Sequence, residues 1–156
     1  MKWLWVLTVL LLVSACSKEA TMPLLSHPVP NQTLSNTEKG LSLALEENLF
    51  LDPPATIKTI IKNEGQQDYH YVDFYSLEMK KKGEWYVIKY SDAVFYSNQN
   101  FKDFGSIVLV NSETVQQFSV DDLKVTLLPG EYRIVKTFLS YEPSFYEVTI
   151  AEQFEV

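Results

Sequence analysis

The chain has 156 residues, 46% hydrophobic and 13% aromatic, with 13 Lys and Arg against 20 Asp and Glu. That length suits one domain with a core of its own, and the apolar and aromatic content excludes an intrinsically disordered chain. A single Cys excludes a disulfide scaffold and a Cys-built zinc site, and a net charge of −7 argues against a nucleic-acid partner, whose phosphates demand a basic surface.

Residues 1–16 read MKWLWVLTVLLLVSAC. Lys2 gives a positive start, and the apolar run from Trp3 to Val13 is broken only by Thr8. It is too short for a transmembrane helix, which takes roughly 20 apolar residues, and it fits the apolar region of a signal peptide. Val13, Ser14, Ala15 and Cys16 then supply an aliphatic residue, two small residues and the only Cys. This stretch resembles a bacterial lipoprotein signal peptide with its lipobox. The resemblance implies cleavage between Ala15 and Cys16, a diacylglyceryl group on the Cys16 thiol, and a location on the extracytoplasmic face of the cell membrane. Loss of residues 1–15 takes away Lys2 and no acidic residue, leaving 12 basic and 20 acidic side chains.

Residues 16–40 follow as the lipidated Cys and a tether. Ser, Thr, Asn and Pro dominate residues 17–40, no period of 2 or 3.6 persists, and Pro23, Pro28 and Pro30 break helix or central strand. The composition predicts a flexible coil ending near Gly40, spanning roughly 25–30 Å root-mean-square. His27 lies in this stretch without a neighbouring Cys, Asp or second His, and reads as a solvated linker residue.

From Leu41 onward, β-branched and aromatic residues are frequent and apolar residues alternate. The alternation predicts strands at 41–46 and 56–62, with a turn at Asn63-Glu64-Gly65. Residues 69–79 form a long β-rich run of imperfect parity, which a bulge or crossover would explain. A hairpin loop at Lys80-Lys81-Lys82-Gly83 leads to a returning strand over 85–90, and residues 91–106 read as a long polar loop. Further strands are predicted at 107–110, 114–120, 123–128, 132–139 and 145–156, with turns at Asp121-Asp122 and Pro129-Gly130. Seven to nine short strands and no strong amphipathic helix predict an all-β antiparallel sandwich over residues 41–156.

Leu128-Pro129-Gly130-Glu131-Tyr132 opens the strand Tyr132-Arg133-Ile134-Val135. This resembles the tyrosine corner of immunoglobulin-like domains, which implies a buried Tyr132 whose hydroxyl returns to backbone a few residues upstream, with Pro129 and Gly130 making the turn. Ile134 stands where antibody domains carry a disulfide Cys. Together with YSLEMKKKGEWYVI at 75–88, LLPGEYRIVKTF at 127–138 and the closing AEQFEV, most of residues 41–156 resemble the bacterial Ig-like domain family of lipoproteins from bacilli and relatives. The resemblance implies an Ig-like β-sandwich outside the cytoplasmic membrane. It brings no catalytic residues and no ligand.

No HExxH, GxSxG or phosphate-binding Gly-rich loop occurs. No catalytic residue, metal site or cofactor is therefore expected, and the protein does not read as an enzyme. Asp121-Asp122 lacks the spaced oxygen ligands of a calcium loop and reads as a solvated turn; the other acidic residues are scattered, with Asp68 and Asp73 flanking the long strand, and His70 stands in a different segment from His27. Trp85, the one Trp beyond the leader, reads as core or sheet cover. Phe95, Tyr96, Phe101 and Phe104 crowd the polar loop. They fit either a packed mini-core of that loop or an exposed contact for an envelope protein or glycan. The expected function is a membrane-anchored, non-catalytic binding or interaction module of the cell envelope. The alternatives are a β-sandwich proteinase inhibitor using an exposed loop at 91–106 and, with less support, an envelope hydrolase.

Overall fold

The computed structural model describes residues 21–90, 105–140 and 144–156. Period-two alternation builds the first sheet. Thr37–Glu38 (β1), Leu41–Leu45 (β2), Thr56–Asn63 (β3) and Ser112–Ser119 (β8) pair in the order β1-β2-β3-β8, all antiparallel. Leu41, Leu43 and Leu45 of β2 and Ile57, Thr59 and Ile61 of β3 point inward and are buried, as the alternation requires.

The second sheet is built on Glu131–Ser140 (β9). On one side β9 pairs along its whole length with Tyr146–Glu155 (β10). On the other it meets Tyr69–Tyr71 (β4) and Ser76–Lys81 (β5), which lie end to end. Beyond them, Glu84–Val87 (β6) pairs with β5 and Ser106–Val108 (β7) with β4. The β5–β6 hairpin turns on Lys82 and Gly83, with φ of 54° and 86°. Positive φ at both positions is the twist-matched two-residue turn. The two sheets face each other over a core that includes Leu43, Ile61, Leu77, Phe118, Ile134, Phe138, Val148 and Phe154. The chain is thus an all-β antiparallel sandwich, with ten strands among the described residues.

The imperfect parity of 69–79 is a bulge. Tyr71 pairs with Phe138 and Ser76 with Val135, so residues 72–75 face only Lys136 and Thr137. The excess residues bend the strand and turn the Val72 and Phe74 carbonyls out of the ladder.

Two expectations are corrected. The predicted strand at 123–128 is a 3₁₀ turn over Asp121–Leu123 followed by Lys124 in the left-handed region at φ 56°, and then by chain outside any ladder. Leu123 and Leu127 are buried there and Val125 packs beside them, so the alternation reflected burial at one end of the sandwich rather than strand pairing. The predicted flexible tether is docked over its described part. Pro23 and Leu25 bond the backbone of Lys89 and Val87, and Val29 bonds Trp85, so residues 22–29 line the outer edge of β6. Met22 enters the core. The chain then crosses the outer face of the second sheet and reaches the far edge of β10, where Ala151 N donates to Ser35 O at 2.9 Å and Asn36 Nδ2 donates to Glu152. Composition predicted a coil because nothing within residues 17–40 repeats. The partners that hold the segment stand elsewhere in the sequence.

Gly40 and Gly65 let two turns touch. Gly40 has φ +83°, and a Cβ there would lie 2.3 Å from the Gly65 Cα. The Glu64 amide donates to the Gly40 carbonyl across this contact, which no side chain could enter without separating the turns.

Candidate functional site

Tyr132 opens β9 on its inward face and is fully buried. Its ring stacks on Phe154 with centroids 5.4 Å apart, and its hydroxyl donates to the Leu128 carbonyl. Gly130 and Val156 exchange backbone bonds of 2.9 and 3.1 Å beside it. Burial pushes the phenol pKa up to about 12 although the hydrogen bond to Leu128 opposes the rise. This is the corner geometry, and the Pro129-Gly130 turn that precedes it makes the four-residue return possible. Tyr132→Phe is expected to lower stability by about 1–2 kcal/mol, because the Leu128 carbonyl loses its donor in a partly buried place. Denaturant unfolding of the two proteins measures it, and an unchanged midpoint would remove the hydroxyl from the stabilising contacts.

Four residues further along β9, on the same inward face, stands Lys136. Its ammonium donates to the carbonyls of Val72 and, at 3.3 Å, Phe74, the two groups the bulge turns out of the ladder. The rings of Tyr75 and Tyr71 face it at 4.0 and 4.8 Å. Burial pulls its pKa down to about 7, with the Asp73 carboxylate acting in the opposite direction. Tyr75 continues the polar path: its hydroxyl bonds Thr59 Oγ1 at 2.6 Å and donates to Gln116 Oε1 at 2.7 Å. Burial raises the Tyr75 pKa as well.

Arg133 points the other way, onto the outer face of the sheet. Its Nε donates to Glu78 Oε2 at 2.6 Å, with side-chain exposures of 2% and 6%. Its remaining nitrogens donate to the carbonyls of Asn31 and Gln32 at 2.7 and 3.3 Å, and its guanidinium lies 4.7 Å from the centre of the Trp85 ring. Trp85 therefore covers the outside of the sheet. Gln32 completes the clamp by accepting from the Trp85 amide and donating to its carbonyl. Desolvation raises the Glu78 pKa, and Arg133 pulls it back.

No sequence motif marks either cation. The available signal was parity: Lys136 falls on the face of Tyr132, Ile134 and Phe138, where an apolar residue is expected. Arg133 gave no such signal, because its cover comes from residues 31–32 and 85.

The other candidate residues do not converge. His27 is exposed, with Ser26 Oγ 2.9 Å from its ring. His70 is on β4, Asp68 accepts from the Val110 amide, and Asp73 accepts from Gln116. Asp121 and Asp122 form the 3₁₀ turn. Among the described residues no three His, Cys, Asp or Glu side chains come together. Ala15, Cys16, Phe95, Tyr96, Phe101 and Phe104 lie outside the described residues, and so does most of the loop on which the inhibitor alternative depends. A groove of about 470 Å³ runs beside the docked segment, lined by Thr21, Leu24, Leu25, Lys81, Lys82 and Tyr86 among others.

No curated protein and no solved structure matches the chain significantly. The family model of the bacterial Ig-like domain matches residues 37–155, from β1 to the end of β10, and takes in both sheets and the corner at Tyr132. On that match the chain belongs to the bacterial Ig-like domain family.

Proposed function

We propose that the chain is an extracytoplasmic lipoprotein whose Ig-like domain serves as a non-catalytic binding or interaction module of the cell envelope. The observation that carries this reading is the family match over residues 37–155 on a sandwich whose facing sheets are filled by apolar side chains. Packing consumes the inner faces, so recognition falls to loops and edges. The pattern at residues 1–16 supports anchoring: a short apolar run, two small residues and the only Cys of the chain. Two acyl chains on Cys16 give stable attachment at about 0.8 kcal/mol per buried CH₂.

Cys16→Ala tests the anchor. The substituted protein is expected in the soluble fraction or as uncleaved precursor, whereas the parent sediments with membranes at its mature size. Membrane-bound mature protein in the Cys16→Ala strain would overturn the lipoprotein reading.

A further inference from the structure

Four of the chain's 13 Lys and Arg lie between Lys80 and Lys89, with Glu84 the only carboxylate in that interval. Lys80 is paired with Glu131 at 2.7 Å. Among the described residues, Lys81, Lys82 and Lys89 have no carboxylate within ion-pair distance. In a chain of net charge −7, free positive charge is therefore gathered on the β5–β6 edge.

The docked segment brings the N-terminal side of the described chain to that same edge. The Lys89 amide donates to the Pro23 carbonyl, and Thr21, Lys81 and Lys82 line one groove. Half-exposed Leu25 and the ring of Tyr86 lie among them. Thr21 is five residues after Cys16. Extended backbone covers at most about 3.6 Å per residue, so Thr21 stands within about 18 Å of the Cys16 backbone. A coil free to Gly40 would have given the domain roughly 25–30 Å of slack.

We infer that in the lipidated protein the β5–β6 edge rests on the bilayer, with Lys81, Lys82 and Lys89 on anionic headgroups and the acidic remainder turned away. This rests on the anchoring reading above. Lysines held beside an anionic leaflet are attracted within about a Debye length, roughly 8 Å at physiological salt. The short linkage holds the edge near the surface without further cost in chain entropy. Leu25 and Tyr86 suit the boundary between water and lipid, where Tyr and Lys place apolar bodies inward and polar tips outward.

The full lipidated protein, purified from its membranes, is reconstituted into phosphatidylglycerol vesicles and, separately, phosphatidylcholine vesicles. Each sample is treated with a water-soluble amine reagent, and labelling is read lysine by lysine by mass spectrometry. Lys81, Lys82 and Lys89 are expected to label several-fold less on phosphatidylglycerol, while Lys58, Lys62 and Lys124 label equally on both. Salt near 1 M, where the Debye length is about 3 Å, should abolish the protection. The Lys81→Glu/Lys82→Glu protein should float with both vesicles yet lose protection at Lys89. Equal labelling of the edge lysines on both lipids, with the protein still floating, overturns the orientation and leaves the anchor standing. A protein that floats with neither vesicle overturns the anchor, and the orientation with it.

Discussion

Arg133→Ala is expected to lower stability by about 3–5 kcal/mol, the cost of breaking a buried pair by removing one partner. Glu78 would be left with 6% of its side chain exposed and no cation against it. Desolvation, which already raises its pKa, would then act without the opposing pull of Arg133 and favour the protonated carboxyl further. The carbonyls of Asn31 and Gln32 lose their donors, and Trp85 loses the guanidinium over its ring. Urea unfolding measures the loss, and limited proteolysis should cut first between residues 22 and 36. Replacing Arg133 by Met and Glu78 by Leu together should recover most of the stability, because an apolar pair of similar volume removes the stranded charge. A loss under 1 kcal/mol for Arg133→Ala would show that the clamp is not what holds the segment.

The second large effect is a pH dependence. Lys136 has a folded pKa of about 7 against an ordinary 10.5. Between those values the unfolded chain binds a proton that the folded chain does not, so stability rises as the pH is raised from 7 towards 10 and is lost as it falls back. The slope is about 1.4 kcal/mol per pH unit, or about 4 kcal/mol across the window. Tyr132 and Tyr75 act in the opposite sense above pH 10. Their folded pKa values are raised, so the unfolded chain gives up its protons first and stability declines. Maximum stability is therefore expected near pH 10. Lys136→Met should flatten the rise between 7 and 10 and leave the decline above it. Chemical denaturation across that range checks both arms, and a flat profile for the parent would mean that the ammonium stays charged among the Tyr71 and Tyr75 rings.

Strands whose side chains meet one face of the core were legible from alternation, as in Leu41-Leu43-Leu45 and Ile57-Thr59-Ile61. So was the corner, because Pro129-Gly130 and Tyr132 lie within a few residues of one another. The break of parity inside 69–79 showed that something was there, but not that its carbonyls hold a lysine 62 and 64 residues away. Residues 123–128 misled because an extended stretch that plugs the end of a sandwich alternates like a strand. Residues 22–36 carried no signal at all. Their order is imposed by Arg133, Trp85, Val87 and Ala151, and pairing at that distance leaves no mark on local composition.

That docked segment also sets an order of events. It is the first part of the described chain to be synthesised, yet the groups that hold it come 53, 101, 102 and 116 residues later. Its part over residues 31–36 can settle only after β9 and β10 exist, and closing such long loops is slow. Until residues 22–29 lie along it, the outer edge of β6 presents unpaired amides and carbonyls, an open template for another chain. The newly made protein is thus most prone to self-association in the interval before its own beginning lies down on that edge.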